Sequence, residues 1–185
     1  MMESCRVFAA QIHPRAQMMV AMDVTKVDLR PSRPQTGWQW FRFVGNMVNV
    51  TTPGGLLVAK IGRAKIRRGP RGLFLAEGYR LTFPVAGAFA IGNVITTGAT
   101  WEEKLRQYPQ LLEHEEVHTW QYLYCIGFPY YVAYVMCMGW SMLRTGDRAA
   151  RNFFERQAGL RIGGYQELPI RPIRENLAVI FKKRR

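Results

Sequence analysis

Residues 111 to 121 read LLEHEEVHTWQ, and within them His114, Glu115 and His118 form the pattern H-E-x-x-H, in a chain that has only three histidines. On an α-helix, positions four apart share a face. Both imidazoles then point the same way and can hold one metal ion, with Glu115 beside them in reach of a metal-bound water. The apolar positions Leu111, Leu112, Val117, Trp120, Tyr122, Leu123 and Tyr124 support a continuous helix from Gln110 to about Cys125. Pro109 restarts the chain before it, and Gly127 to Pro129 ends it.

Downstream, a second apolar helix is expected from about Tyr130 to Leu143. Asp147 then stands as the cap of a third, RAARNFFERQAGLRI, which stops at Gly163 and Gly164. Residues 119 to 143 carry no charged side chain. About 20 apolar residues span a bilayer, but Gly127 and Pro129 break this run, and the part after Pro129 has a length that suits a buried core helix or an interfacial helix better than a span. Tyrosines and Trp140 suit both settings.

Upstream, a polar leader with prolines at 31 and 34 precedes WQWFRFVGNMVNVTT, whose aromatic and β-branched residues suit an irregular strand or a strand after a short helix. Thr52 as N-cap and Pro53 at the first position suggest a short helix through LLVAKIGRA. KIRR, LFLAEGYRLTF and AFAIGNVITTG read as an antiparallel meander, with turns at Gly69 to Gly72 and near Pro84 to Gly87. Thr100 and Glu103 form a capping box that opens a helix through about Arg106. The expected fold class is α+β: a short antiparallel sheet, then the motif helix, the apolar helix and a glutamate-bearing helix. The expected organisation is a polar leader over 1–36, one domain over 37–164 and a basic tail over 165–185.

The bulk properties agree with one folded domain: 185 residues, 21.3 kDa, 48% hydrophobic and 12% aromatic. They exclude disordered, collagen-like and repeat classes. Cys5, Cys125 and Cys137 are too few and too scattered for a disulfide framework or a zinc knuckle, and read as reduced, two of them as buried. A net charge of +13 makes nucleic acid and an anionic membrane surface admissible partners. The cation clusters are Lys65, Arg67, Arg68 and Arg71, then Lys182 to Arg185, and solvated loops with a frayed terminus account for them equally well. The N-terminal stretch lacks the apolar run of a secretory signal, so a cytoplasmic protein, peripheral to the membrane at most, is expected. Residues 1–21 look unlike the rest, and Met22 would make a natural start.

A catalytic zinc takes three protein ligands and leaves the fourth position to water, so two histidines do not suffice. No histidine follows His118, and the position of a third histidine ligand in the H-E-x-x-H-x-x-G-x-x-H arrangement is Tyr124. The third donor should therefore be a carboxylate. Glu155, flanked by Phe153 and Phe154, is the best placed; a surface ion pair with Arg151 or Arg156 is its ordinary alternative. Asp147 is better explained as a cap, and Glu167 and Glu175 lie in a Pro-rich tail. Glu113 and Glu116 are expected to face away from the metal as solvated charges, and His13 bears no spacing relation to the site.

The H114-E-E-V-H118 motif followed by Glu155-x-x-Ala158 resembles the gluzincin branch of the zincin metallopeptidases, in particular its small forms; the match lies within residues 111 to 160. The resemblance implies a zincin-like domain holding Zn2+ on His114, His118 and Glu155, with Glu115 as general base in the hydrolysis of a peptide or protein substrate. It also implies that AFAIGNVITTG is the edge strand that holds an extended peptide. Tyr165 is a candidate oxyanion donor. Gln121 and Asn152, one turn from His118 and Glu155, are candidates to orient the ligands. Two other functions fit the sequence: a zincin-fold binding module without activity, and a basic nucleic-acid or anionic-membrane binder.

Overall fold

The computed structural model describes residues 28–84 and 86–176, so His13, Cys5, the leader over 1–21 and the Lys182 to Arg185 cluster lie outside the described residues. Among the described residues, two helices come first, α1 (Gly37–Val48) and α2 (Thr51–Ile61). Strands β1 (Lys65–Arg68), β2 (Phe74–Glu77), β3 (Ala88–Ile91) and β4 (Val94–Thr97) follow. After the sheet come α3 (Trp101–Gln107), α4 (Leu111–Tyr124), α5 (Pro129–Thr145) and α6 (Phe153–Gln157). The class is α+β with one small mixed sheet.

The segment expected as a strand is helix α1. Thr36 caps it by accepting from the Gln39 amide, and Gln39, Arg42 and Asn46, at helical spacing, form its buried face. Its aromatic and β-branched residues, which favour a strand, point outward instead: Trp38, Phe41 and Val48 are 71%, 56% and 77% exposed. Helix α2 begins two residues earlier than a Thr52 cap would place it, with Val50 as N-cap in the left-handed region at φ 57°.

The sheet is mixed rather than antiparallel throughout. Its order is β1-β2-β4-β3, with β1/β2 and β3/β4 antiparallel and β2/β4 parallel. The cause lies in Gly92 and Asn93. Read as one strand, AFAIGNVITTG is in fact a two-residue hairpin, with Ile91 opposite Val94 and Gly92 at φ 57° in the first turn position that glycine favours. Folding back there brings β4 against β2 and leaves β3 at the edge. A side chain at Gly92 would lie 2.4 Å from the Thr52 backbone nitrogen.

Both arms of the Thr100–Glu103 capping box are formed at α3. Leu73, Leu75, Ile95, Trp101 and Leu112 close the core between sheet, α3 and α4. Helix α4 runs from Leu111 to Tyr124 and packs against α1, β3 and β4. Past it, α5 is not a buried core helix: Tyr130 and Ser141 are buried, while Val132, Val135, Met136 and Trp140 are half to two-thirds exposed. No single helix among the described residues is long and apolar enough to cross a membrane; α4 and α5 reach that composition only as a pair bent by 119°. Cys125 and Cys137 are half-buried rather than buried.

The third helix is far shorter than expected. The Asp147 carboxylate accepts from the amides of Ala149 and Ala150 in a turn, and the helix starts only where Asn152 accepts from the Phe154 amide. Gly159, at φ 90°, ends it.

Candidate metal centre

Helix α4 turns His114, Glu115 and His118 inward, with relative exposures of 2%, 4% and 6%. Helix α6 brings Glu155, 3% exposed, over the same spot. The two imidazole Nε2 atoms lie 3.2 Å apart, and Glu155 Oε2 lies 3.3 Å from that of His114 and 3.8 Å from that of His118. One donor atom from each of the three residues falls within 4.8 Å of the others.

The hydrogen bonds around the rings set their tautomers. His114 Nδ1 faces the carbonyls of Ala158 at 3.1 Å and Gly159 at 3.3 Å, acceptors only, so the proton sits on Nδ1. His118 Nδ1 faces Gln121 Oε1 at 2.7 Å, and the Tyr130 hydroxyl donates to the same oxygen at 3.2 Å. The Gln121 amide is oriented by its own donations to the Phe154 carbonyl at 3.0 Å and to Gln157 Oε1 at 2.9 Å. Both Nε2 atoms therefore present lone pairs to each other and to a carboxylate oxygen. Such a convergence of acceptors repels itself unless a cation or protons occupy the centre. Zinc with bonds of about 2.0–2.1 Å and tetrahedral angles would place its donors roughly 3.3 Å apart, so the donor set and spacing fit a zinc-sized ion.

Glu155 is held from the opposite side: the Tyr134 hydroxyl donates to Oε1 in a short hydrogen bond, leaving Oε2 buried without a partner. Glu115 Oε2 is likewise buried without a partner. Burial pushes the Glu115 carboxyl up to about 7, with the Glu155 charge adding to the rise and His114 opposing it. Burial pulls His118 down to about 4, aided by His114. Burial also opposes the charged forms of His114 and Glu155, but their mutual contact outweighs it, so His114 lies above and Glu155 below its ordinary value.

Of the sequence candidates, His114, Glu115, His118, Glu155 and Gln121 come together. Tyr165 lies beside them with its ring centroid 6.4 Å from that of His114, its hydroxyl pushed up to about 12 by burial and by the charge of Glu155. Asn152 is the cap of α6, so it positions Glu155 through the helix it starts. Arg156 pairs with Glu167 at 3.3 Å rather than with Glu155. Glu116 is no solvated charge: it bridges Arg71 and the fully buried Arg42. The basic cluster is correspondingly divided, since Arg71 is held by Glu116 and Arg67 by Glu77 and Glu102.

Sequence reasoning missed Tyr130, Tyr134 and Gly163. The two tyrosines stand four apart in an otherwise apolar helix, a spacing that could have marked one polar face. Gly163 carried no such signal: it leaves room for the His114 ring, whose Cε1 would lie 2.4 Å from a Cβ built there. The chain matches no protein-family model, no curated protein and no solved structure.

Proposed function

We propose that the protein is a zinc-dependent metallopeptidase of gluzincin type, with a zincin-like domain over residues 37–164. The observation that carries this reading is the meeting of two Nε2 lone pairs and one carboxylate oxygen around a single point, beside a second buried carboxylate. His114, His118 and Glu155 would hold the ion. Bound zinc supplies Lewis acidity, lowering the pKa of a water and polarising a carbonyl.

The remaining work falls to the chain's own groups. Glu115, next to His114 and with Oε2 buried and unpartnered, would take the proton of the attacking water and pass it to the leaving amine. Gln121 and the carbonyls of Ala158 and Gly159 keep the ring protons on Nδ1, so that Nε2 faces the centre. Tyr134 holds Glu155 in place. Strand β3, at the sheet edge and packed against α4, offers backbone groups to an extended peptide. Tyr165, its ring 6.4 Å from that of His114, would donate to a developing oxyanion.

The test is metal content together with peptide hydrolysis. Wild type should hold about one zinc per chain, as a single three-ligand site requires. His114→Ala and His118→Ala should lose it, and Glu115→Gln should keep the zinc but lose hydrolysis. A wild-type protein that takes up no zinc overturns the metal site. Zinc uptake without cleavage across a broad peptide library overturns the peptidase assignment alone.

A further inference from the structure

Two helical elbows lie side by side at one end of the molecule, and both are tipped with apolar side chains. The α1–α2 elbow carries Val48 and Val50, and the α4–α5 elbow carries Ile126 and Phe128, exposed by 77%, 54%, 80% and 51%. They abut closely: the Gly127 Cβ position is 3.2 Å from the Asn49 backbone oxygen, and that of Gly54 is 3.7 Å from Phe128 Cζ. Each elbow sits inside a run without charged side chains, residues 43–59 and 119–143.

The helices leading from the elbows continue the pattern. Helix α1 is inverted relative to water, burying Gln39, Arg42 and Asn46 while exposing an apolar stripe through Phe41 and Val44. A single exposed leucine needs no explanation, but a contiguous apolar surface of this kind marks an interaction site.

Charge decides among occupants. The first charge-free run ends on Lys60, and this residue with Arg63, Lys65 and Arg68 is exposed and forms no ion pair among the described residues. The second run ends on Arg144, stacked 5.4 Å from the centre of the Trp140 ring. Apolar elbows whose uncharged helices run on into exposed cations and aromatic rings match an anionic bilayer, with hydrocarbon beneath a negative headgroup layer. We infer that the protein docks on anionic membranes, inserting the Val48/Val50 and Ile126/Phe128 elbows without crossing.

Docking of this kind also bears on the candidate metal centre. Helix α5 turns Tyr130 and Tyr134 toward His118 and Glu155 and its opposite side outward. The helix that leads from one docking elbow therefore also backs the candidate metal centre. The docking surface itself does not depend on the metal, and its test reads no activity.

Flotation of the purified full-length chain with vesicles tests it, using phosphatidylcholine alone and an equal mixture of phosphatidylcholine and phosphatidylglycerol. The wild type should float with the mixed vesicles and less with phosphatidylcholine. Val48→Asp combined with Ile126→Asp, both at exposed positions, should lower partitioning by at least about tenfold while far-UV circular dichroism is unchanged. Lys60→Glu with Arg63→Glu should weaken binding only to the anionic vesicles. Three results would overturn the inference: no flotation of wild type, flotation insensitive to the aspartate pair, or a stable dimer in buffer that the aspartate pair dissociates.

Discussion

Gln121 accepts the Nδ1 proton of His118 at 2.7 Å, and with its amide nitrogen it holds the Phe154 carbonyl, next to Glu155. One side chain thus fixes a candidate ligand on α4 and the start of the helix that carries another. Replacing it with alanine should lower zinc affinity by about 10–100-fold, the usual cost of losing a group that orients a ligand. Competition against a chromophoric chelator measures this; an unchanged affinity would show that the Tyr130 hydroxyl, 3.1 Å from Nδ1, and packing suffice to orient His118.

Tyr134→Phe removes the hydroxyl that donates to Glu155 Oε1. The ring still packs on Phe154, so the fold should persist. Zinc affinity should fall by about tenfold, because the carboxylate loses the contact that fixes its rotamer. Calorimetric titration of both proteins with zinc decides it, and equal affinities would remove Tyr134 from any role in the centre.

Gly163→Ala drives a methyl group into the His114 ring, with Cε1 at 2.4 Å and Nε2 at 2.7 Å. Zinc retention through gel filtration should be lost. Gly139→Ala is the matched control: nothing lies within 4 Å of its Cβ position in α5, and the change should stabilise the helix by about 0.5–1 kcal/mol. A Gly163→Ala protein that keeps its zinc would show that the segment after Gly159 can retreat from the ring.

Glu116→Ala strands the guanidinium of Arg42, which is fully buried and pairs with that carboxylate. The remaining acceptors are the Arg71 carbonyl and the Thr119 hydroxyl, so a loss of about 3 kcal/mol is expected in urea melts. Arg42→Met with Glu116→Leu should recover most of it, since removing both partners leaves no buried charge. A single variant as stable as wild type would mean that water reaches Arg42.

Thr100→Ala removes the hydroxyl arm of the capping box at α3, which accepts from the Glu103 amide and donates to the Glu103 carboxylate, and leaves the backbone amide arm in place. The Thr100 amide and hydroxyl hold the Glu103 carboxyl below its ordinary value of 4.5. A depressed acid contributes stability above its unfolded pKa and loses it as pH falls through the folded one. The melting temperature of the variant should therefore trail wild type at neutral pH, with the gap narrowing below pH 4.5. A gap constant down to acid would assign the effect to the hydroxyl's acceptance from the Glu103 amide rather than to its donation to the carboxylate.

The sequence carried the α4 helix and its inward histidines, because the i, i+4 spacing that makes a shared face also makes the motif. Glu155 followed from counting ligands. Helix α1 was misread because its apolar residues face out, so composition favoured a strand while the burial pattern was helical. The parallel pairing of β2 with β4 depended on the turn at Gly92 and Asn93, hidden inside what looked like one long strand. Tyr134 was marked only by its spacing of four from Tyr130, and Gly163 was not legible, since its role exists only once the segment after α6 closes over the histidines.

Helix α5 has no idle side. Tyr130, Tyr134 and Ser141 are committed to neighbours within the protein, and the positions between them form an apolar exterior. A charge introduced on the first set would disturb the candidate metal centre, and one on the second would interrupt the uncharged surface. Two independent constraints therefore bear on alternate stripes of one helix. Damage to each should be separable: inner-stripe variants altering ion binding alone, outer-stripe variants altering only what the molecule adheres to.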